Sequence, residues 1–290
     1  MGRQVEPIDP NMPLSAIATR ALRSGFSGMS AMVVQVSTLM WMRTIMNHQY
    51  RHGGKIKETV KKLYSEGGVP RFYRGVFVAM LQGPVSRFGD TFSNTLFLTF
   101  MNRSEKTKNL PVMIKTVGAS LTAATFRILL TPVDTLKTTL QVEGKTGLTL
   151  LKAKVAKNGP TVLYHGALAT SAATFVGHYP WFATYNFLNA RIPVYTESVK
   201  KFARQAGIGF CASVISDSIS NSLRVIKTTK QTYQTAVTYP QVVNEILKKD
   251  GVMGLLGRGL KIRIITNGTQ GLMFSVLWKA FDDYYGRQKH

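Results

Sequence analysis

The chain is short of cysteine, of acidic side chains and of long apolar runs. Its one cysteine, Cys211, excludes an internal disulfide and a metal site built from several thiolates, and its five histidines are not spaced as zinc ligands. No run of roughly eighteen or more apolar residues marks a simple membrane-spanning helix, and the mean hydropathy is +0.00. Helices that surround a watery cavity have such a composition, because each of them meets lipid on one face only.

The shortage of acids leaves a net charge of +23, with 37 Lys and Arg against 14 Asp and Glu. Such an excess is a general mark of proteins that bind nucleic acid or an anionic surface. Here it collects in three segments, 48–74, 142–165 and 228–258, which together hold fifteen basic residues and five acids. Positive charge on one side of a helical bundle orients it in a membrane and suits anionic lipid, so the pattern favours a membrane surface.

Three parts of the chain repeat one another at intervals of about ninety residues. Pro132–Gln141 is the clearest copy, Thr38–Asn47 lies 94 residues before it and Ser222–Gln231 lies 90 residues after it. Each copy is followed by a short step that ends in glycine: Tyr73-Arg74-Gly75, Tyr164-His165-Gly166 and Gly257-Arg258-Gly259. A long fixed period indicates one supersecondary unit copied three times, whose single copies cannot bury their apolar faces alone.

These residues closely resemble the mitochondrial carrier family, whose signature reads Pro-x-acid-x-x-base-x-x-x-Gln and is followed by an aromatic-base-Gly step. The resemblance extends from about residue 24 to about residue 283. It implies an all-α membrane protein with six transmembrane helices in three pseudo-threefold-related hairpin repeats, each with a short amphipathic matrix-side helix. The repeats are expected at about 20–105, 112–193 and 200–285, after an irregular lead-in over 1–19. The resemblance also implies a multi-pass protein of the mitochondrial inner membrane.

The spanning helices are predicted at about 24–47, 75–101, 115–140, 167–189, 202–230 and 260–281. Between the helices of each repeat, apolar residues at helical spacing predict a short amphipathic helix; Ile56, Val60 and Leu63 stand among lysines in the first. Pro132 is expected to kink the third spanning helix, because proline removes a backbone donor and clashes with the preceding turn.

In the family, the signature acid of one repeat pairs with the signature base of the next and closes the cavity on the matrix side. Here one acid remains, Asp134, while Met40 and Arg224 stand at the other two acidic positions. Three bases and Arg224 around one carboxylate repel each other, so three ion pairs cannot hold this ring shut in the usual way. The matrix gate implied by the resemblance consists of Arg43, Asp134, Lys137, Gln141, Arg224, Lys227 and Gln231.

The family reads its substrate near the middle of the even-numbered helices, eight residues past each aromatic-base-Gly base. Those positions hold Gln82, Ala173 with Thr174 beside it, and Thr266, and none of them is charged. An arginine is usual there in carriers of nucleotides and of di- and tricarboxylates, so its absence argues against a multiply charged anion.

Four further polar residues are candidates for the cavity wall. Arg87 and His178 occupy matching places on two even-numbered helices, and Arg127 and Asp217 lie at similar depth on the third and fifth helices. Charged groups at bilayer depth usually face a cavity or a partner. Arg127 and Asp217 therefore either hold the carboxylate and amine of a zwitterion or form an interhelical ion pair. Arg263, near the matrix end, is expected to face lipid or the interface.

Anionic lipid is the remaining expected ligand. Helix N-termini attract phosphate, and the family binds cardiolipin near the closing glycines, which suggests Arg74, Gly75, Gly166, Arg258 and Gly259 as lipid-binding residues. No metal, cofactor or enzymatic activity is expected beyond bound cardiolipin. The predicted function is a solute carrier that moves an amino acid or small carboxylate by alternating access. The alternative is a transport-inactive carrier-fold subunit of a respiratory complex; a nucleic-acid-binding protein would leave the repeats unexplained.

Overall fold

The computed structural model describes residues 14–86, 107, 112–195 and 197–287. These residues form α-helices and two short 3-10 helices, Gly144–Thr146 and Pro160–Tyr164. In chain order the α-helices are α1 (Leu14–His52), α2 (Ile56–Phe72), α3 (76–86), α4 (Val112–Leu129), α5 (Thr131–Glu143), α6 (Gly147–Asn158), α7 (Ala167–Arg191), α8 (Ser198–Thr232), α9 (Tyr239–Gly257) and α10 (Leu260–Arg287).

Helix α1 begins at Leu14, so residues 14–19 are helical and not part of an irregular lead-in as predicted. The third predicted helix is divided into α4 and α5, and the chain leaves the helix at Leu130, just before Thr131 and Pro132. Proline at the start of α5 explains the division, because it cannot donate to the carbonyl one turn earlier. The predicted kink is therefore a helix boundary.

The connections between hairpin helices share one design. Helices α2, α6 and α9 lie in the three basic segments, and a glycine with positive φ bends the chain in or after each of them: Gly68, Gly159 and Gly251. Seven or eight residues later a second positive-φ glycine precedes the next long helix, at Gly75, Gly166 and Gly259. The sequence repeat is therefore also a repeat of backbone conformation.

The long helices pack into a closed arrangement. Helix α7 packs along α8, α4 packs against α7, and α1, the first helix, packs against α10, the last. The signature helices α1, α5 and α8 contact each other pairwise. Three buried apolar clusters lie around these contacts and involve α1 with α2 and α10, α1 with α3, and α1 with α8 and α9.

Besides the three apolar clusters, the described helices have many exposed apolar side chains and many buried polar ones. On α8, the outward-facing Phe210, Ile215 and Ile219 are at least 43% exposed, whereas Ser216 and Ser220 are at most 7% exposed. Outward apolar residues recur on the other long helices, among them Phe77, Leu121, Leu129, Leu168 and Tyr179. Within the described part of the chain, no helix reaches the combination of length and mean hydropathy required of a membrane-spanning segment.

Candidate gate and solute site

Asp134 is the centre of the predicted matrix gate. It lies in the first turn of α5 and is buried. Its Oδ1 is 2.8 Å from Nζ of Lys137, one turn further along the same helix, and its Oδ2 is 2.5 Å from Nζ of Lys227 on α8. The second contact joins two repeats and holds the ends of α5 and α8 together, because a buried carboxylate requires a nearby positive charge.

The signature glutamines also reach between repeats. Gln231 donates through Nε2 to Oδ2 of Asp134 at 3.3 Å, which links α8 to α5. Gln141 on α5 accepts a hydrogen bond from Asn47 at 2.5 Å, and its Nε2 lies 3.3 Å from Sδ of Met40 on α1. Each glutamine therefore contacts the preceding repeat, and the one that lacks an acid partner contacts a methionine.

The closing glycines complete a cycle of contacts around the bundle. A Cβ atom added at Gly75 would lie 3.3 Å from the carbonyl oxygen of Lys137 on α5, and one added at Gly166 would lie 3.2 Å from that of Lys227 on α8. At Gly259 the added atom would lie 2.7 Å from the Tyr50 ring on α1. The first repeat thus abuts the second, the second abuts the third, and the third abuts the first. Only glycine fits this approach with positive φ.

Comparison with protein families agrees with this arrangement. A family model described as mitochondrial carrier protein matches residues 108–195 and 198–289, which together make up more than half of the chain. The chain belongs to the mitochondrial carrier family. No curated protein matches it. Members of the family are transporters. The role of the ring around Asp134 as a gate stays a prediction.

The carrier holds two gate cations through amides from neighbouring helices. Lys137 donates to Oε1 of Gln82 on α3 at 3.0 Å as well as to Asp134. Arg43 on α1 donates to Oε1 of Gln270 on α10, also at 3.0 Å. Where Met40 and Arg224 have replaced the family acids, amide oxygens therefore take over part of the contact with the gate cations. These are weaker acceptors than carboxylates.

Asp217 is engaged by α10. Its Oδ1 is 2.7 Å from Nη2 of Arg263, and its Oδ2 accepts a hydrogen bond from Asn267. Arg263 also donates to the hydroxyl of Tyr50 at 3.3 Å, and its side chain is 11% exposed. The expectation that Arg263 faces lipid or the interface is therefore wrong: a buried acid on the facing helix α8 draws it into the bundle, where ion pairing offsets the cost of desolvation.

The predicted contact positions of the carrier are mostly enclosed. Gln82, Ala173 and Thr266 are buried. The hydroxyl of Thr174 donates to the carbonyl of Thr170, and the hydroxyl of Thr266 donates to a carbonyl one turn earlier in its own helix. Of these positions, Gln82 makes a polar contact to another helix, through Lys137. The assignment of the four residues to substrate binding stays a prediction.

The other predicted cavity residues are less closely grouped. Nδ1 of His178 on α7 is 2.9 Å from Oγ of Ser120 on α4, so this pair joins adjacent helices. Arg127 lies in the last turn of α4 and is half-buried. Arg87 lies outside the described residues. The structure thus brings His178 to α4 and Asp217 to α10, and does not gather all of the predicted residues at one point.

Buried cations at the helix ends are a feature that the sequence reasoning missed. Arg71 donates to the carbonyl oxygens of Gln141 and Val142 at 2.8 and 2.6 Å, at the C-terminus of α5. Lys154 donates to the carbonyl of Tyr233 at 2.9 Å, just beyond α8. The carbonyls at a helix C-terminus lack partners within the helix and carry partial negative charge, which these cations satisfy.

Arg258 provides the third cation of this kind, which corrects its predicted role. Its guanidinium is buried, pairs with Asp250 at 2.6 Å and donates to the carbonyl of Arg51 near the end of α1. It is therefore not free to bind a lipid headgroup as predicted. Arg74 is half-exposed and lines a surface cleft together with the cations Arg71 and Lys145 and the acids Glu66 and Glu143. The charge pattern of the basic segments predicts only surface cations, whereas Arg71, Lys154 and Arg258 in these segments are buried.

Burial and neighbouring positive charge lower the pKa values of two residues in these segments, Lys154 and His165. Burial, together with the nearby charges of Lys230 and Arg51, lowers the pKa of Lys154 to about 8. Burial likewise lowers the pKa of His165 to about 4, with Lys154 and Lys230 contributing. Both residues lie at the junction between the second and third repeats, where charge is concentrated and water is largely excluded.

Proposed function

We propose that this carrier is a multi-pass protein of the mitochondrial inner membrane and moves a small polar metabolite, an amino acid or a small carboxylate, by alternating access. The main observation behind the proposal is that apolar side chains face outward and polar side chains face inward on α8, the opposite of a helix on the surface of a water-soluble protein. Phe210, Ile215 and Ile219 of α8 face outward, whereas Ser216 and Ser220 face inward. In water this arrangement exposes apolar surface without compensation; in a bilayer it provides a lipid-facing surface and a polar interior.

The gate supplies the moving part of the proposed mechanism. For a solute to leave towards the closed end, α5 and α8 must separate, which breaks the contact between Asp134 and Lys227. A solute that binds between the helices compensates for this loss, and the opposite end then closes. Because Met40 and Arg224 leave one interhelical acid at the gate, opening costs less than in a ring of three ion pairs.

The lost acids also favour a second candidate. A chain that has ceased to transport would retain the fold and lose the gate, so a transport-inactive subunit of a respiratory complex explains Met40 and Arg224 as well. Purified protein in liposomes, tested with a panel of labelled amino acids and carboxylates, separates the two. Saturable uptake or exchange supports the carrier. No flux of any solute, together with co-purification at fixed ratio with a respiratory complex, supports the subunit.

The membrane position can be tested with the single native cysteine. Cys211 is exposed beside Phe210 on the outward face of α8. A spin label at Cys211 in reconstituted protein should collide with oxygen, which partitions into lipid, and avoid a water-soluble nickel chelate. The control is a label at exposed Lys248 on α9, introduced as Lys248→Cys in a Cys211→Ser background. Equal access of the nickel chelate to both labels would contradict a lipid-facing α8.

Anionic phospholipid is the partner that we propose for the basic side of the bundle. The half-exposed Arg74 precedes Gly75, which stands at the N-terminus of α3, and exposed amides at such a terminus attract phosphate. Gly166 begins α7 in the same manner. Native mass spectrometry of the carrier should show retained cardiolipin, with less retained in Arg74→Gln than in a Lys248→Gln control. Equal retention would contradict a site at Arg74.

A further inference from the structure

The acid position of the third repeat holds an arginine whose charge is poorly compensated. Arg224 lies on α8 and donates to Oγ of Ser220 at 3.4 Å, a long hydrogen bond to a neutral acceptor. The groups within electrostatic reach of its guanidinium are the cations Arg263, Arg127 and Lys227, the acid Asp217 and the hydroxyl of Tyr50. A guanidinium with these neighbours requires a further acceptor.

Asp217 does not satisfy this requirement. Both of its oxygens are already engaged by α10, Oδ1 by Arg263 at 2.7 Å and Oδ2 by Asn267. Arg224, Arg263 and Asp217 together carry a net charge of +1, since two guanidinium groups stand against one carboxylate. The same engagement removes the group that would have received the amine of a zwitterion.

The wall that α10 forms on the side of Arg263 also has unsatisfied donors. Nε of Arg263 and Nε2 of Gln270 are buried and have no hydrogen-bond partner. These residues lie seven positions apart on α10 and therefore on the same face of the helix. Buried donors are normally paired, so the ligand that fits this wall is rich in acceptors and carries negative charge.

We propose, on the basis of the carrier function proposed above, that Arg224 and Arg263 bind a carboxylate group of the transported solute. A carboxylate offers two oxygens to a planar guanidinium and forms the strongest hydrogen bonds open to it. The substrate class is therefore a small carboxylate anion, dicarboxylates included, and not a zwitterionic amino acid. The expectation drawn from the uncharged contact positions is thereby revised, because Arg224 and Arg263 supply the positive charge that those positions lack. The replacement of the family acid by Arg224 changes a gate position into a position that binds the substrate.

Ligand binding can be measured without transport. In detergent, succinate should raise the Tm of the full-length protein, while glycine at the same concentration and ionic strength should not. The shift with succinate should be lost in Arg224→Gln, reduced in Arg224→Lys and retained in Lys261→Gln, a control at an exposed position of α10. Inorganic phosphate tests the assignment to a carboxylate, and a larger shift with phosphate than with succinate would overturn it.

The Tm without ligand separates a binding residue from a structural one. Arg224→Gln removes a cation that lies within electrostatic reach of other cations, so its Tm without ligand should equal or exceed that of the native protein. A lower Tm without ligand, with the shift by succinate preserved, would show that Arg224 only supports the structure and would overturn the inference.

Transport distinguishes this inference from the function on which it rests. In liposomes, Arg224→Gln should raise KM for succinate on the order of tenfold or more, as expected for the loss of a charge-assisted contact. Native protein that transports glycine and not succinate would refute the inference and leave the carrier function intact. Native protein that transports no solute, yet loses its shift by succinate in Arg224→Gln, would refute the carrier function and support the anion site.

Discussion

Replacement of Asp134 by asparagine tests the gate directly. The carboxylate of Asp134 lies 2.8 Å from the ammonium group of Lys137 and 2.5 Å from that of Lys227, and it is buried. Asp134→Asn preserves the shape of the side chain and removes the charge. Two ammonium groups roughly 5–7 Å apart are then left without a counterion, and at an effective dielectric constant of about 20 their repulsion is about 2–3 kcal/mol.

The lost attraction adds to this repulsion. Removal of one partner from a buried ion pair typically costs about 3–5 kcal/mol, and for a chain of this size that corresponds to a fall in Tm of roughly 10 °C. Circular dichroism of the protein in detergent measures the change. In the double variant Asp134→Asn/Lys227→Gln one of the two opposed lysines is gone, so part of the loss should be recovered.

A matched control is the exposed pair of Glu197 and Lys200, whose charged atoms are 2.9 Å apart. Glu197→Gln should leave Tm unchanged, because surface ion pairs contribute little. If Asp134→Asn and Glu197→Gln give the same Tm, the contact between Asp134 and Lys227 does not hold α5 and α8 together, and the argument for the gate fails.

Three further changes test the contacts between repeats. Gly259→Ala would place a methyl group against Tyr50 at positive φ and should cost about 2–4 kcal/mol, whereas Gly207→Ala, with nothing within 4 Å, should not lower Tm. Arg71→Gln leaves two helix-terminal carbonyls without their donor and should cost at least about 2 kcal/mol, measured by the same thermal unfolding. Lys154 has a pKa near 8 when folded and 10.5 as a free side chain, so between these values the unfolded chain holds more protons and stability rises with pH. Lys154→Gln should remove this rise; an unchanged pH profile of Tm would refute the role of burial.

Local sequence patterns predict most of the helices, whereas the contacts within the gate are predicted by the family resemblance alone. Asp134 and Lys227 are 93 residues apart, and neither periodicity nor composition places them together; the resemblance to a family did so. The prediction of a kink at Pro132 followed from local chemistry, because proline acts on the turn that precedes it, and the structure has a helix boundary there instead. The start of α1 at Leu14 was missed, since small and polar residues near the N-terminus leave the periodicity weak.

The polar partners within the bundle could not be predicted. Equal depth in successive repeats suggests Arg127 as the neighbour of Asp217, but the structure places Arg263 of α10 against it. Which face of α8 contacts α10 depends on how each helix is rotated about its own axis. The spacing of residues in the sequence does not determine this rotation. Lys154 was likewise counted as surface charge, since its burial depends on the position of the end of α8.

The contact of Arg258 with the carbonyl of Arg51 has a consequence for biosynthesis. These residues are 207 positions apart, so the N-terminal helix leaves the ribosome long before the surface that it needs has been made. Until the last repeat arrives, the carbonyl of Arg51 lacks its donor Arg258, and the buried Gln35 lacks the carbonyl of Gln270 to which it donates. Insertion of the first repeat should therefore depend on a chaperone or translocase that shields these groups, and a chain truncated before α10 should be degraded rather than assembled.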